Sequence, residues 1–276
     1  MARLSTHHPL VLIRGGGDLA TGVAARLHRA GFPILVLEVE QPLAVRRRVA
    51  LAEAVYSGRT RVEEIEGVRA ASEAEVGAIL EAGAIPVLVD PGASSLPKFG
   101  PQVLVDGRMR KVASDLARDA APLTIGLGPG FTAAVDCHAV VETRRGHHLG
   151  RVIWTGPAAA DTSRPEPVNG YGEARVLRAP GAGVVRGLRQ IGDVVRRGEI
   201  IFAIDGETVR APFDGALRGL LHDGLPVEAG AKVGDLDPRG DPRYCFEISD
   251  KSLAVGGGVL EAVLSRAELR RALAEA

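Results

Sequence analysis

Apolar and polar positions along the chain follow two different regimes. In the first, residues 9–14 form a compact apolar run of strand length, and Leu19, Val23 and Leu27 then recur at the helical period over residues 18–30. Gly31-Phe32-Pro33 punctuates the chain before a second buried-type strand over residues 34–39. Further strands are predicted over residues 85–90, 102–106 and 123–127, with a helix over 72–82 before the first of them. Strands alternating with helices predict a parallel, doubly wound α/β sheet. In the second regime, from about residue 174, short β-prone runs are separated by glycines, the pattern of a small all-β barrel or sandwich. A Gly256-Gly257-Gly258 run then opens a terminal helix expected to pack back on the body.

The second regime is a duplication. Arg178-Ala-Pro-x-x-Gly183-x-x-Arg186-Gly-Leu188-x-x-x-Gly192-x-x-Val195-x-x-Gly198 returns 32 positions later as Arg210-Ala-Pro-x-x-Gly215-x-x-Arg218-Gly-Leu220-x-x-x-Gly224-x-x-Val227-x-x-Gly230. Between the copies lies Asp205-Gly206, a preferred dipeptide for a tight hairpin with positive φ at both positions. The two similar halves resemble biotinyl/lipoyl carrier domains, whose halves each have an Ala-Pro-x-x-Gly strand and a Gly-Asp-x-Val-x-x-Gly turn, and Gly192-Asp193-Val-Val-Arg-Arg-Gly198 matches that turn closely. Those carriers place the modified lysine at the tip of the central hairpin, where this chain has Asp205-Gly206, and the module has no lysine before Lys232. Covalent biotin or lipoate is therefore not expected, and a scaffold or docking surface is. The expected division is an α/β domain over 1–155, a proline- and glycine-containing linker over 156–173, the duplicated module over 174–237, and an extension with its helix over 238–276.

Composition narrows the partners. Of 276 residues 46% are apolar, enough for a sizeable core, and Lys+Arg balances Asp+Glu at 34 each, which argues against nucleic acid. No apolar run approaches the ~20 residues of a membrane helix, and residues 1–17 carry no signal-peptide pattern, so a cytoplasmic location without membrane contact is expected. Cys137 and Cys245 stand far apart with no CxxC partner and read as two unrelated thiols. A homo-oligomer is compatible with all of this.

Chemistry gathers first at Gly15-Gly16-Gly17-Asp18-Leu19-Ala20-Thr21-Gly22, a G-x-G-x-x-A turn between strand and helix, which makes the sheet Rossmann-like. Bare backbone there would let a pyrophosphate reach the N–H groups and the positive end of the helix, or the glycines form a tight turn that only packs strand against helix. Glu38, 21 residues after Gly17 at the end of the second strand, has the place of an acid that binds a ribose hydroxyl. Asp18 cuts against phosphate, although it can serve the helix start. The Arg46-Arg47-Arg48 run follows the same strand, where arginine can take a 2′-phosphate, or it is a solvated face. Asp90 and Asp106 end apolar strands at the edge where such sheets bind ligands, or they simply cap those strand ends.

A second glycine loop, Gly126-Leu-Gly128-Pro-Gly130-Phe131, precedes Asp136, His138, Glu142, His147 and His148. These groups are candidates for proton transfer, or they are structural; their spacing fits no zinc template and no metal is expected. Neither a G-x-S-x-G elbow nor a Walker A lysine occurs.

Across nearly the whole chain, Gly15–Gly22, Ala44-Val-Arg-Arg47, Glu53-Ala-Val-Tyr-Ser-Gly58, Gly126–Phe131, Val141-Glu-Thr-Arg-Arg-Gly-His147, Leu149-Gly-Arg-Val-Ile153, Gly234-Asp-Leu-Asp-Pro-Arg239, Ser249-Asp-Lys251 and Gly256-Gly-Gly-Val-Leu-Glu-Ala262 resemble the YqeB-type accessory proteins of selenium-dependent molybdenum hydroxylases. The resemblance implies a factor that matures such a hydroxylase, with the hydroxylase or its maturation proteins as partners. It implies functional positions at the first glycine turn (Gly15, Gly17, Asp18, Ala20, Thr21, Gly22), at Arg46 and Arg47, and at Gly126, Gly128 and Gly130 with Glu142, Arg145 and His147. The cofactor expected is NAD(P), another nucleotide or a molybdopterin dinucleotide. A non-catalytic chaperone docking the apo-hydroxylase through the β module, and an NAD(P)-dependent oxidoreductase, are the alternatives. Thr162-Ser-Arg-Pro-Glu166 departs from the Thr-Gly-x-Pro-Gly expected of the family's linker.

Overall fold

A computed structural model describes residues 9–109, 115, 117–162 and 167–275; the linker departure at 163–166 lies outside them. The chain divides into two compact units, each assembled from separated stretches: residues 1–42, 50–161 and 248–276 form one, residues 43–49 and 162–247 the other. Among the described residues no helix is long and apolar enough to cross a membrane.

The first unit is built on a sheet of nine strands. Its chain order begins with β1 (Val11–Arg14), α1 (Asp18–Arg29), β2 (Ile34–Glu38), α2 (Ala54–Ser57), β3 (Arg59–Val62), β4 (Ile65–Ala70), α3 (Val76–Glu81), β5 (Ile85–Val89), α4 (Leu96–Phe99), β6 (Val103–Asp106) and β7 (Leu123–Leu127). It continues through β8 (Thr132–Ala133), β9 (Ala139–Val141), β10 (Val152–Ile153) and β11 (Gly156–Pro157), and closes with α5 (Asp250–Leu264) and α6 (Ala267–Ala274). In space the strands run β10-β9-β7-β6-β1-β2-β5-β4-β3, while β8 and β11 pair separately. All neighbours are parallel except β3 with β4 and β10 with β9. The central strands are nearly uninterrupted Val, Ile and Leu because both faces are covered: Leu12, Ile13, Leu35, Leu104 and Ile125 are all buried.

The terminal helix starts earlier than its glycines signalled. Ser249 Oγ accepts from Ser252 N at 3.1 Å and caps α5, leaving Gly256 to Gly258 in its interior. Interior glycines cost a helix up to about 1 kcal/mol each, and here two of them allow backbone contact. A Cβ on Gly256 would lie 2.4 Å from Gly22 O, and one on Gly22 would lie 2.5 Å from Ser252 O.

The second unit carries the duplication into three dimensions. Its strands are β12 (Val176–Arg178), β13 (Gly183–Gly187), β14 (Val194–Val195), β15 (Ile200–Ile204), β16 (Glu207–Arg210), β17 (Gly215–Leu220), β18 (Pro226–Val227) and β19 (Lys232–Asp237). They make two four-stranded antiparallel sheets, β12-β19-β17-β14 and β16-β15-β13-β18, neither of them closed into a barrel. Adding 32 to a first-copy residue number gives its second-copy counterpart in the opposite sheet, β12 to β16, β13 to β17, β14 to β18 and β15 to β19, so each sheet draws two strands from each copy and the copies interlock. Gly192 N donates to Leu217 O at 2.9 Å as Gly224 N does to Val185 O at 2.8 Å; Gly198 N donates to Ala211 O at 2.8 Å as Gly230 N does to Ala179 O at 2.9 Å. The central hairpin turns at Asp205 (φ 46°) and Gly206 (φ 93°), both positive as the dipeptide predicts.

Candidate functional site

At the carboxyl end of β1 the chain turns through Gly15, Gly16 and Gly17 into α1. Each glycine has its own reason. Gly15 sits at φ +90°, and Gly16 could not carry a Cβ, which would fall 2.8 Å from Ala52 N. Gly17 has neither constraint: its φ is −66° and a Cβ would meet nothing within 4 Å. Thr21 ties the turn down, its Oγ1 donating to Gly17 O at 2.9 Å and accepting from Leu51 N at 2.9 Å. Gly22 serves the contact with α5 described above, and Ala20 is a buried neighbour of Gly107. Asp18 stands in the first turn of α1, a favourable place for its charge against the helix dipole.

Glu38 reaches this turn. Its Oε2 accepts from Gly16 N at 2.6 Å and its Oε1 from Val39 N at 2.8 Å, so the acid at the end of β2 and the glycines after β1 form one hydrogen-bonded unit. Nearby, burial first and then the charges of Glu53 and Glu38 push the Tyr56 phenol up to about 12, and its hydroxyl donates to Pro42 O at 3.0 Å.

Beside β1, at the matching end of β6, lies an ion-pair cluster that the sequence reading missed. Arg14 and Asp106 are register partners, and buried Asp106 takes Arg108 Nη2 at 2.5 Å and Arg14 Nη1 at 3.8 Å. Asp115 completes the set, 3.1 Å from Arg14 Nη1 and paired also with Arg108. Arg14, a charge at the end of an apolar strand, was the available signal. Asp90, which follows β5, is a loop anchor: burial alone would raise its pKa, but bonds from Ser95 and Ser94 hold it below the usual carboxylate value.

The second glycine loop leaves the same edge of the sheet from β7, and packing or backbone conformation accounts for its glycines. A Cβ on Gly126 would strike the Phe131 ring at 2.3 Å, one on Gly128 would strike Thr143 Oγ1 at 2.3 Å, and Gly130 has φ +102°. The acids and imidazoles after it are spread over several local structures. Glu142 is buried and accepts from Arg144 N at 2.7 Å and Ala159 N at 2.8 Å, while Asp136 accepts from Thr132 N at 2.7 Å. His138 Nδ1 accepts from Thr124 N at 3.1 Å; burial, then the charges of Arg118 and Arg266, lower its pKa. The imidazole lines a cavity of about 690 Å³ with Leu96, Gln102 and Asp119. His147 meets His148 edge to face at 5.0 Å, and Arg145 holds Asp250 by two bonds of 2.6 Å. Among the described residues no group of three or more His, Cys, Asp or Glu is placed to hold a metal ion. Burial pushes the thiols of Cys137 and Cys245 up to about 11, so neither is a ready thiolate.

Arg46 and Arg47 belong to the second unit. Arg46 is buried, with Nη2 donating to Tyr244 O at 3.2 Å and Glu247 O at 3.4 Å; Arg47 Nε donates to Leu220 O at 3.0 Å. The structure thus brings together the first glycine turn and Glu38, and puts the arginines of the same expectation to work on carbonyls of the second unit.

No family model matches the chain. It is 48% identical over 257 residues to the uncharacterized protein YqeB of Escherichia coli (strain K12), an alignment covering 93% of this chain and 48% of that protein. The chain spans about half the length of the curated relative it matches. Among solved structures, the product-bound ectoine utilization protein EutE (DoeB) of Ruegeria pomeroyi aligns over 83% of this chain and 85% of its own, at 12% identity and a TM-score of 0.24. Its apo form gives the same identity and TM-score over 83% and 86%. At that score the likeness carries no argument.

Proposed function

We propose that the protein is an accessory factor in the maturation of a selenium-dependent molybdenum hydroxylase, and that its first unit binds a nucleotide or dinucleotide-type cofactor at Gly15 to Gly17. The maturation role rests on the blocks shared with YqeB-type proteins. On this reading the nine-stranded sheet is Rossmann-like, since its neighbours β2 and β6 flank β1 and the strand order reverses there, where such sheets bind ligands. The duplicated unit is a biotinyl/lipoyl-like scaffold without the carrier lysine.

Gly17 is the observation that carries the ligand reading. Neither conformation nor neighbours require glycine at that position, while the space its missing side chain leaves open lies before the amino end of α1, where an anion is stabilised. Glu38 would exchange its bond to Gly16 N–H for a ribose hydroxyl as the phosphate takes the amide. Calorimetry of the full chain with NAD, NADP, ATP, CTP and a molybdopterin dinucleotide tests this. At least one ligand should bind, and Gly17→Ala should weaken it tenfold or more, about 1.4 kcal/mol, while keeping or raising the melting temperature, since a compatible Gly→Ala change stabilises by roughly 0.4–1 kcal/mol. Binding of none of the five would sink the proposal.

A docking role for the β unit has its own support. Val184, Leu188 and Val194 of the first copy are 45%, 45% and 62% exposed, whereas Ala216 and Leu220 of the second are 0% and 2%. Val184→Asp with Leu188→Asp, four residues apart along the β13 segment, should abolish co-purification of an apo-hydroxylase subunit without lowering the melting temperature; undiminished co-purification would exclude this face.

A further inference from the structure

The second unit holds a cavity of about 370 Å³ whose walls include Arg47, Arg48, Arg189 and His222, with Gly187 and Asp223. Its lining carries three guanidinium groups against a single carboxylate. Asp223 Oδ1 accepts from Gly187 N at 2.7 Å, which fixes the carboxylate at the wall, and the guanidinium groups still outnumber it three to one. Arg189 has a distant acidic neighbour, Glu199 Oε2 at 3.4 Å, in a pair open to solvent on both sides and so of little energetic weight. Arg47 is aimed by its Nε bond to Leu220 O, and Arg48 stands exposed beside it.

The guanidinium groups that line the concavity can bind phosphate oxygens through paired N–H donors. A volume near the lower end of the range for small-molecule sites suits a ligand of nucleotide size or smaller. The cavity draws on both copies of the duplication, with Gly187 and Arg189 from the first and Leu220, His222 and Asp223 from the second. Residues 43–49 add the remaining arginines. Their place is prepared: Leu220 N donates to Val45 O at 2.8 Å, and a Cβ on Gly219 would lie 2.7 Å from Val45 Cγ1.

We infer that this cavity is a binding site for a small polyanion of the diphosphate class, independent of the glycine turn. The Arg46-Arg47-Arg48 run thus keeps the anion-binding part of its sequence reading, but on the β unit. Inorganic pyrophosphate, titrated into the full chain by calorimetry at low and moderate salt, is the probe. It should bind, more weakly as salt rises. Arg48→Glu with Arg189→Glu, both at exposed positions, should lower the affinity by about tenfold or more with an unchanged melting temperature. Gly17→Ala should leave it as in the parent. No binding by the parent chain would overturn the inference. So would binding that survives the double charge reversal, or binding lost in Gly17→Ala, which would move the anion to the glycine turn.

Discussion

The two copies of the 32-residue repeat share ten identities in 21 positions, yet the same arginine lives in opposite surroundings in each. Arg186 of the first copy is exposed and pairs in register with Ala203 across β13 and β15. Its counterpart Arg218 is mostly buried, with Nη2 2.5 Å from Asp235 Oδ2 and Nη1 3.1 Å from Asp237 Oδ2. The acid makes the difference: position 235 of β19 corresponds to Ala203 of β15. Arg175, 3.1 Å from Asp235 Oδ1, has Glu207 as its counterpart. Residues kept in both copies build the frame, and residues that differ decide which copy carries buried charge.

The sharpest test of that contrast is Arg218→Ala beside Arg186→Ala. Removing Arg218 takes a charged partner from two buried carboxylates but leaves Arg175 on Asp235 and Arg239 on Asp237, so Arg218→Ala should destabilise by about 1–3 kcal/mol, and Arg186→Ala by no more than about 0.5 kcal/mol. The pH dependence identifies the cause. Burial pushes the Asp235 carboxyl up, but Arg218 and then Lys232 and Arg175 outweigh it, and the net pKa is lowered. The Asp237 pKa is also lowered, burial again being outweighed, there by Arg239 first. A carboxylate depressed in the folded state stabilises above its unfolded value, about 4, and that contribution is lost as pH falls through the folded value. The melting-temperature gap between parent and Arg218→Ala should therefore be widest near neutrality and narrow below about pH 4. A gap independent of pH would mean that Arg218 acts through packing alone.

The duplication and its hairpin were legible because both rest on local backbone chemistry: glycine and Asp-Gly at fixed offsets leave few conformations. The alternation of strands and helices was legible because apolar runs and the 3.6-residue period are likewise local in sequence. Partnerships between distant segments were not. Nothing periodic in residues 43–49 says that they join the β unit, and the one trace is Gly219, whose missing Cβ admits Val45. Glu142 looked like a proton-transfer group, but its carboxylate satisfies the amides of Arg144 and Ala159, a use that spacing cannot distinguish from catalysis. At the first glycine turn the strand, turn, helix and distant acid were all placed by pattern. The Arg14–Asp106–Arg108 cluster beside it depends on which strand becomes the neighbour of β1, and only the fold decides that.

The frame common to the copies gives the smallest expected effect and the cleanest symmetry test. Arg178 Nη1 donates to Gly230 O at 2.9 Å, and Arg210 Nη1 donates to Gly198 O at 2.8 Å, so each copy's leading arginine closes the other copy's final turn. Both arginines are exposed and both bonds end on a turn carbonyl. Their net worth is therefore small, about 0.5–1 kcal/mol each. If the interlock is symmetric in energy as well as in geometry, Arg178→Ala and Arg210→Ala should lower the denaturant midpoint equally, with unchanged slope. The double variant should then show the sum, because each bond caps a different turn and the two share no partner. A clear inequality between the single variants would mean that the copies have diverged in their frame as well as in the charges packed upon it.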